Sequence, residues 1–409
     1  MPPLPASGSA PFALSVLAAG GTGVGATASQ GLTNTISLAR AADARGYHRF
    51  WMSEHHAMAA TSVSSPALMV ARLIPETARI RLGAGGVMLP NHAPLLVSEQ
   101  FGMLEALAPG RIDLGLGRAP GTDGATAAAL RRGADANEGF AQQVLDLLGF
   151  LRGEFPPGHA YQNVHAVPGP WQAEQNRVTD AAMGPEPWIL GSSLYSARLA
   201  AQLGRPYAFA LQFGDADVDT ALRLYREAFQ PSEALAEPRT LISVPAAISD
   251  DAAAAGRQAA TSAMAMLRMF KREGCLLLPP EEVEAYKATA QERQILDAYT
   301  ARTFHGAPAT VAARLEALQA RTGADELMLV VGRHSAALDE RGIGLIADHY
   351  GLPRNCPTRP IPPQPTIEWS TTCPHHAAPS SSSTPSRSTS RASSRSSTRS
   401  ATNRSPAFA

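Results

Sequence analysis

The chain reads as an α/β protein, a (β/α)8 barrel with insertions, on three observations. Short apolar runs alternate with helix-period patterns, eight such runs precede Gly332, and several of them end in chemically unusual residues. An apolar content of 44% over 409 residues supplies enough side chains for a large core.

Taken in order, Phe12 to Leu17 is the first strand, followed by a Gly/Ala-rich loop and a helix from Thr33 to Arg45 with Ile36, Ala39 and Ala42 on one face. His48 to Met52 is the second strand. A helix over Pro66 to Ala78 leads to strand Ile80 to Gly83, and a helix over Leu95 to Leu107 leads to strand Ile112 to Leu116. The unit then repeats: helix Phe140 to Leu151, strand Trp188 to Leu190, helix Ser196 to Leu203, strand Tyr207 to Leu211, helix Asp217 to Phe229 and strand Leu241 to Ala247. Helical segments fill Asp251 to Gln319, and Glu326 to Val331 is the last strand. Gly342 and Gly344 interrupt the closing helix expected over Ala336 to Tyr350, leaving it only partly recognisable.

Two insertions break the alternation. Gly153 to Pro187, before the fifth strand, is rich in Pro, Gly and Asn, and Arg268 to Gly306, after the seventh, contains Leu276-Leu277-Leu278-Pro279-Pro280. Both are expected to act as lids or substrate walls at the catalytic face. The organisation predicted is a disordered N-terminus over 1–11, the barrel over 12–350, and a disordered Ser/Arg/Pro-rich tail over 351–409, whose runs such as Ser380 to Thr384 have no apolar content to offset ordering entropy.

The net charge of zero hides an asymmetry, since seven arginines face one acid, Glu368, from Leu352 onward. The preceding body is therefore mildly acidic, which argues against nucleic acid as a partner. Cys275, Cys356 and Cys373 have no CxxC or Cys/His spacing, so neither a structural metal nor a disulfide framework is expected. No signal-like or membrane-spanning run is present, and a cytoplasmic location is expected.

The chemistry lies at the strand ends. Phe50-Trp51-Met52 empties into Ser53-Glu54-His55-His56, placing a carboxylate and two imidazoles where parallel α/β folds collect ligands. After the third strand, Gly83-Ala84-Gly85-Gly86 removes Cβ atoms where a ligand would approach the backbone. After the fourth, Gly115-Leu116-Gly117-Arg118 sets a guanidinium among glycines, suited to a phosphate or carboxylate. After the fifth, Gly191-Ser192-Ser193-Leu194-Tyr195-Ser196 leads hydroxyls into a helix N-terminus, a ready anion site. A phosphate cradle, a close-approach backbone and a proton-transfer group together suit a phosphorylated flat cofactor. A dinucleotide-binding reading of Gly23-Val24-Gly25-Ala26-Thr27-Ala28 is weaker, because the acid expected about twenty residues on is Asp43, inside a helix.

Glu54-His55-His56, Gly85-Gly86-Val87-Met88-Leu89-Pro90, Gly110 to Arg118 and Gly191-Ser192-Ser193 together resemble the bacterial luciferase-like flavin-dependent oxidoreductases, from Phe12 to Val331. The resemblance implies a TIM barrel using reduced FMN from a separate flavin reductase, with dioxygen, to oxidise an apolar or aromatic small molecule through a C4a-peroxyflavin. It implies His55 beside the reacting flavin edge, a non-proline cis peptide at Gly85-Gly86, and phosphate-binding positions at Arg118, Ser193 and Ser196. His55 is the expected proton-transfer group, and Glu54 is either its orienting partner or, since adjacent strand-end residues can point to opposite faces, outside the site. A homodimer is compatible with it. Ala57 stands where the family commonly has Asn. The alternatives are hydride transfer with the deazaflavin F420 on the same barrel, and a non-catalytic flavin-binding protein.

Overall fold

The computed structural model describes residues 8–133, 135–178, 184–213, 217–332 and 334–354. Its barrel strands are β1 (Ala13–Ala18), β2 (Arg49–Met52), β3 (Arg81–Met88), β4 (Ile112–Gly117), β5 (Glu186–Gly191), β6 (Tyr207–Ala210), β7 (Thr240–Ile248) and β9 (Glu326–Val331). They pair in parallel in the order β6-β5-β4-β3-β2-β1-β9-β7, and a β6–β7 pairing closes the cylinder. An extra short strand, β8 (Phe304–Gly306), pairs only with the end of β7. The closed barrel excludes the open sheet that dinucleotide binding would need.

The helices that cover this cylinder include α1 (Ala28–Ala44), α2 (Pro66–Leu73), α3 (Pro94–Leu107), α5 (Phe140–Arg152), α7 (Leu194–Gln202), α8 (Val218–Glu227), α9 (Ala252–Phe270), α12 (Pro308–Thr322) and α13 (Ala336–Tyr350), and a short helix, α4 (Gly124–Ala129), lies in the segment after β4. Local chemistry sets their ends. Thr27 and Gln30 form a capping box at α1. The Asp43 carboxylate, near the end of α1, accepts the N–H groups of Ala78, Arg79 and Ile80, which aims the chain into β3.

Alternate strand residues face opposite sides, so the core has two parts. Leu17, Trp51, Trp188, Leu241 and Met328 fill the barrel, and a larger apolar layer lies between sheet and helices. The N-terminal end of the barrel is plugged by charge. Buried Arg49 donates from Nε to Glu326 (2.7 Å) and from Nη1 to Asp113 (2.8 Å), while Arg81 Nη2 reaches Asp113 at 2.6 Å. Burial opposes ionisation of Asp113, yet the two guanidiniums hold its carboxyl at about 2.

The closing helix differs from expectation. α13 runs unbroken, capped by the Ser335 hydroxyl and ended by Gly351 at φ 61°. Gly342 answers a packing demand, since a Cβ there would sit 2.8 Å from the Ile248 carbonyl oxygen of β7, while Gly344 packs against the Arg45 guanidinium. The chain packs on past Tyr350, with Leu352 buried. Of segment 1–11, residues 8–11 are described, and Ser9 N–H donates to the Tyr350 carbonyl at 2.8 Å. The tail beyond Arg354 lies outside the described residues.

The first insertion also departs from expectation. Its described residues, 153–178 and 184–185, lie between a helix and the strand that follows it, so they emerge at the N-terminal ends of the strands, away from the catalytic face. With the short helix α6 (Pro170–Gln175), they pack beside α3 and α5. The second insertion follows β7 and does reach the catalytic face. It carries α10 (Pro280–Ala285) and α11 (Ala290–Arg302), and Leu277 bridges Gly23 of the first loop, where Val24 N–H donates to its carbonyl at 3.0 Å.

Candidate active site

Two adjoining cavities open at the C-terminal ends of the strands. The first, of about 350 Å³, is lined by Gly85, Gly86, Arg118, Ser192, Ser193 and Ser196, above a floor that includes Trp51 and Met328. The second, of about 480 Å³, is lined by His55 together with Met58, Met266, Met269, Leu277 and Tyr299. Met88, Ala119, Gln212 and Phe213 line both and form the seam. The structure thus gathers every glycine, serine and arginine predicted for cofactor binding in one cavity, and places His55 in the other.

Arg118 makes no ion pair among the described residues. Its guanidinium lies over the Tyr195 ring at 4.4 Å, and Arg132 Nη2 holds its carbonyl at 2.7 Å. Ser193 is the N-cap of α7, but its hydroxyl makes no capping bond, so the first N–H groups of α7 face the cavity without a side-chain acceptor. Ser196 is buried and donates back to the Ser193 carbonyl at 2.8 Å, which shapes the turn instead of offering a free donor. Tyr207 backs it at 3.3 Å. A guanidinium, a helix N-terminus and the Ser193 hydroxyl, which touches only Ser196 Oγ at 3.5 Å among the described residues, fit a dianionic phosphate at one end of the cavity.

The Gly85–Gly86 peptide is cis, as the resemblance implies. A Cβ on Gly85 would lie 2.7 Å from both Leu17 and Trp51, and one on Gly86 would lie 2.7 Å from the Gly115 carbonyl. Only glycine fits at both positions, and bare backbone is left as a wall of the first cavity.

His55 and Glu54 part company. His55 Nδ1 is 3.2 Å from Ser53 Oγ, and burial lowers its pKa below the ordinary histidine value, so the ring is neutral near pH 7. Glu54 is not its orienting partner. Successive residues at a strand end point to opposite sides, and the Glu54 carboxylate turns into a buried hub. There it accepts from His56 Nε2 (2.9 Å), His92 Nε2 (2.9 Å), Asn91 Nδ2 (3.2 Å) and Met88 N–H (3.1 Å). Burial would raise this carboxyl, but the bonds from His92, His56 and Met88 hold it below its usual value. The hub ties the loops after β2 and β3 to the Arg118 loop, because Asn91 also donates to Pro120 O (3.0 Å) and accepts from Arg132 (2.8 Å). Glu54 therefore supports the site from behind.

Tyr195, Gln212 and Ser243 also line the first cavity and were missed. Tyr195 had a signal, its place two residues past Ser193 at a helix start. Gln212 and Ser243 had none, because their roles depend on the pairing of β6 with β7. Among the described residues no cluster of His, Cys, Asp and Glu could hold a metal, and no helix is long and apolar enough to cross a membrane.

A family model for luciferase-like monooxygenases matches residues 11–326. The chain belongs to that family. The luciferase-like monooxygenase family thus spans the whole barrel up to its last strand, the extent the motifs indicated. YvbT of Bacillus subtilis (strain 168), an uncharacterized protein, is 38% identical over 324 residues, covering 79% of this chain and 92% of its own. A luciferase-like monooxygenase of Escherichia coli (strain K12) is 36% identical over 307 residues, covering 75% and 87%. Among solved structures, apo-MsnO8 superposes with a TM-score of 0.73 at 32% identity, over 84% of this chain and 99% of that one. The oxygenating constituent of 3,6-diketocamphane monooxygenase from Pseudomonas putida, solved with FMN, gives a TM-score of 0.62 over 83% and 98%, and its 19% identity makes this a likeness of fold.

Proposed function

We propose that the protein is a cytoplasmic monooxygenase that takes reduced FMN from a separate flavin reductase and uses it with dioxygen to oxidise an apolar or aromatic small molecule. The observation that carries this reading is the Arg118 guanidinium, which has no ion pair among the described residues and lines the same cavity as the N-terminus of α7 and the bare Gly85–Gly86 backbone. When bound, reduced FMN supplies the electrons that activate dioxygen. The chain does the rest. Arg118, Ser193 and the α7 N–H groups hold the phosphate, and Gly85–Gly86 lets a flat ring approach the barrel mouth. The methionine-rich second cavity keeps water from the substrate, and neutral His55, held at Nδ1 by Ser53, exchanges a proton through Nε2.

The test is flavin affinity. Arg118→Ala is expected to weaken FMN about tenfold or more and riboflavin little, because a charge-assisted hydrogen bond contributes about 1.5–3 kcal/mol and only FMN carries the phosphate. Equal losses for both flavins would remove Arg118 from the phosphate site. Oxygen-18 incorporation into an apolar or aromatic substrate with reduced FMN and dioxygen, against anaerobic reduction of a substrate by reduced F420, separates oxygenation from hydride transfer.

A further inference from the structure

The four residues that line both cavities are Met88, Ala119, Gln212 and Phe213, and only Gln212 can donate a strong hydrogen bond from its side chain. Gln212 follows β6, beside Ser243 of β7. Ser243 is buried, and its hydroxyl donates to Gln212 Oε1 at 2.9 Å, its shorter bond, with the Phe209 carbonyl a second acceptor at 3.4 Å. That bond fixes which end of the carboxamide faces away from the barrel wall. The oxygen is engaged, and Nε2 makes no hydrogen bond among the described residues, so its two N–H groups are presented at the seam. Around them the second cavity is largely apolar. A donor held in one orientation, where a cofactor in the first cavity would meet a substrate in the second, selects the atom that crosses the seam.

We infer that Gln212 is the specificity-determining donor of this site, and that its substrates are apolar bodies carrying a hydrogen-bond acceptor, such as a carbonyl oxygen, at the end that is oxidised. Ser243 is a positioning residue acting through Gln212. The inference rests on the proposed function for the meaning of the seam, but binding alone can test it.

The experiment measures affinities of propiophenone and propylbenzene, which share a carbon skeleton and differ by one carbonyl group, for wild type, Gln212→Met and Ser243→Ala. Each is titrated with and without oxidised FMN. Gln212→Met keeps the length and apolar stem and removes the donor. The ratio of ketone to hydrocarbon affinity is expected to fall about tenfold in Gln212→Met, the size of one net hydrogen bond, and by a smaller factor in Ser243→Ala, where the amide is present but free to rotate. A ratio unchanged in Gln212→Met overturns the inference, as does wild-type binding of neither probe. Loss of FMN affinity in Gln212→Met with the ratio intact also overturns it, assigning the amide to the flavin. Failure of the wild type to bind FMN would sink the flavin reading while the flavin-free titrations still decide the role of Gln212.

Discussion

His55 and Glu54 are adjacent in sequence and separate in role, and the separation is a matter of strand geometry. His55 lines the second cavity with its Nδ1 on Ser53, whereas Glu54 is held by His56, His92, Asn91 and Met88. Replacing His55 with Ala is expected to lower oxygenation about 10²-fold or more, the usual size of a lost general acid or base, with FMN affinity changed only a few-fold. Steady-state turnover with a reductase system checks the first figure and flavin titration the second. The Glu-His-His motif was legible as a polar cluster at a strand end beside a cavity, but not which of its members faces the cavity, since that depends on residues brought in from the loop after β3. Ala57 makes a related point. It stands where the family commonly has Asn, and it adopts φ 51°, a left-handed conformation that Asn tolerates better than Ala. Ala57→Asn is expected to raise stability by up to about 1 kcal/mol, read as an upward shift in melting temperature, without loss of flavin binding.

Among the elements, α3 shows what composition says about partners. Its inner face buries Val97, Phe101 and Leu104, yet Leu96, Met103 and Leu107 on the adjoining face are exposed at 48%, 50% and 66%, with Leu68 of neighbouring α2 at 75%. Apolar side chains grouped this way on two neighbouring helices mark a surface suited to a partner, and the homodimer compatible with the family resemblance is the expected one. Leu107→Asp combined with Leu68→Asp is expected to shift the protein from dimer to monomer in sedimentation at micromolar concentration, with the circular dichroism spectrum unchanged. A wild type that already sediments as a monomer would overturn this. The strands and most helices could be read from periodicity within a few residues, because each buries one regular face. What escaped notice depended on contacts between distant elements. Gly342 of α13 looks like a break until β7 is seen against it, and the insertion before β5 looks like a lid until the barrel's polarity puts it at the other end.

At the scale of the whole molecule, the charged plug beneath the barrel links pH to stability. His48, at the foot of β2, accepts from Arg49 Nη2 across 2.9 Å and must be neutral to do so. Burial, then the charge of Arg49, lowers its pKa to about 3, against opposition from Asp113 and with smaller contributions from Arg81 and Arg239. An unfolded chain would protonate this histidine near pH 6.5, so between about pH 6.5 and 3 the unfolded state binds the extra proton. Its contribution is complete above that window and falls with pH by up to about 1.4 kcal/mol per unit inside it. His55, lowered by burial, acts in the same direction, whereas Glu326, raised by burial, acts in the opposite one. Asp113 adds acid lability only below about pH 4, where an unfolded aspartate takes up its proton. The window from pH 6.5 to 4.5 therefore isolates the histidines from Asp113. His48→Gln keeps an acceptor for Arg49 and cannot titrate. Denaturant unfolding at the two pH values should give this variant a loss smaller than that of the wild type by about 2 kcal/mol. Equal losses in the two proteins would mean that His48 is protonated in the folded barrel and that the plug accommodates the charge.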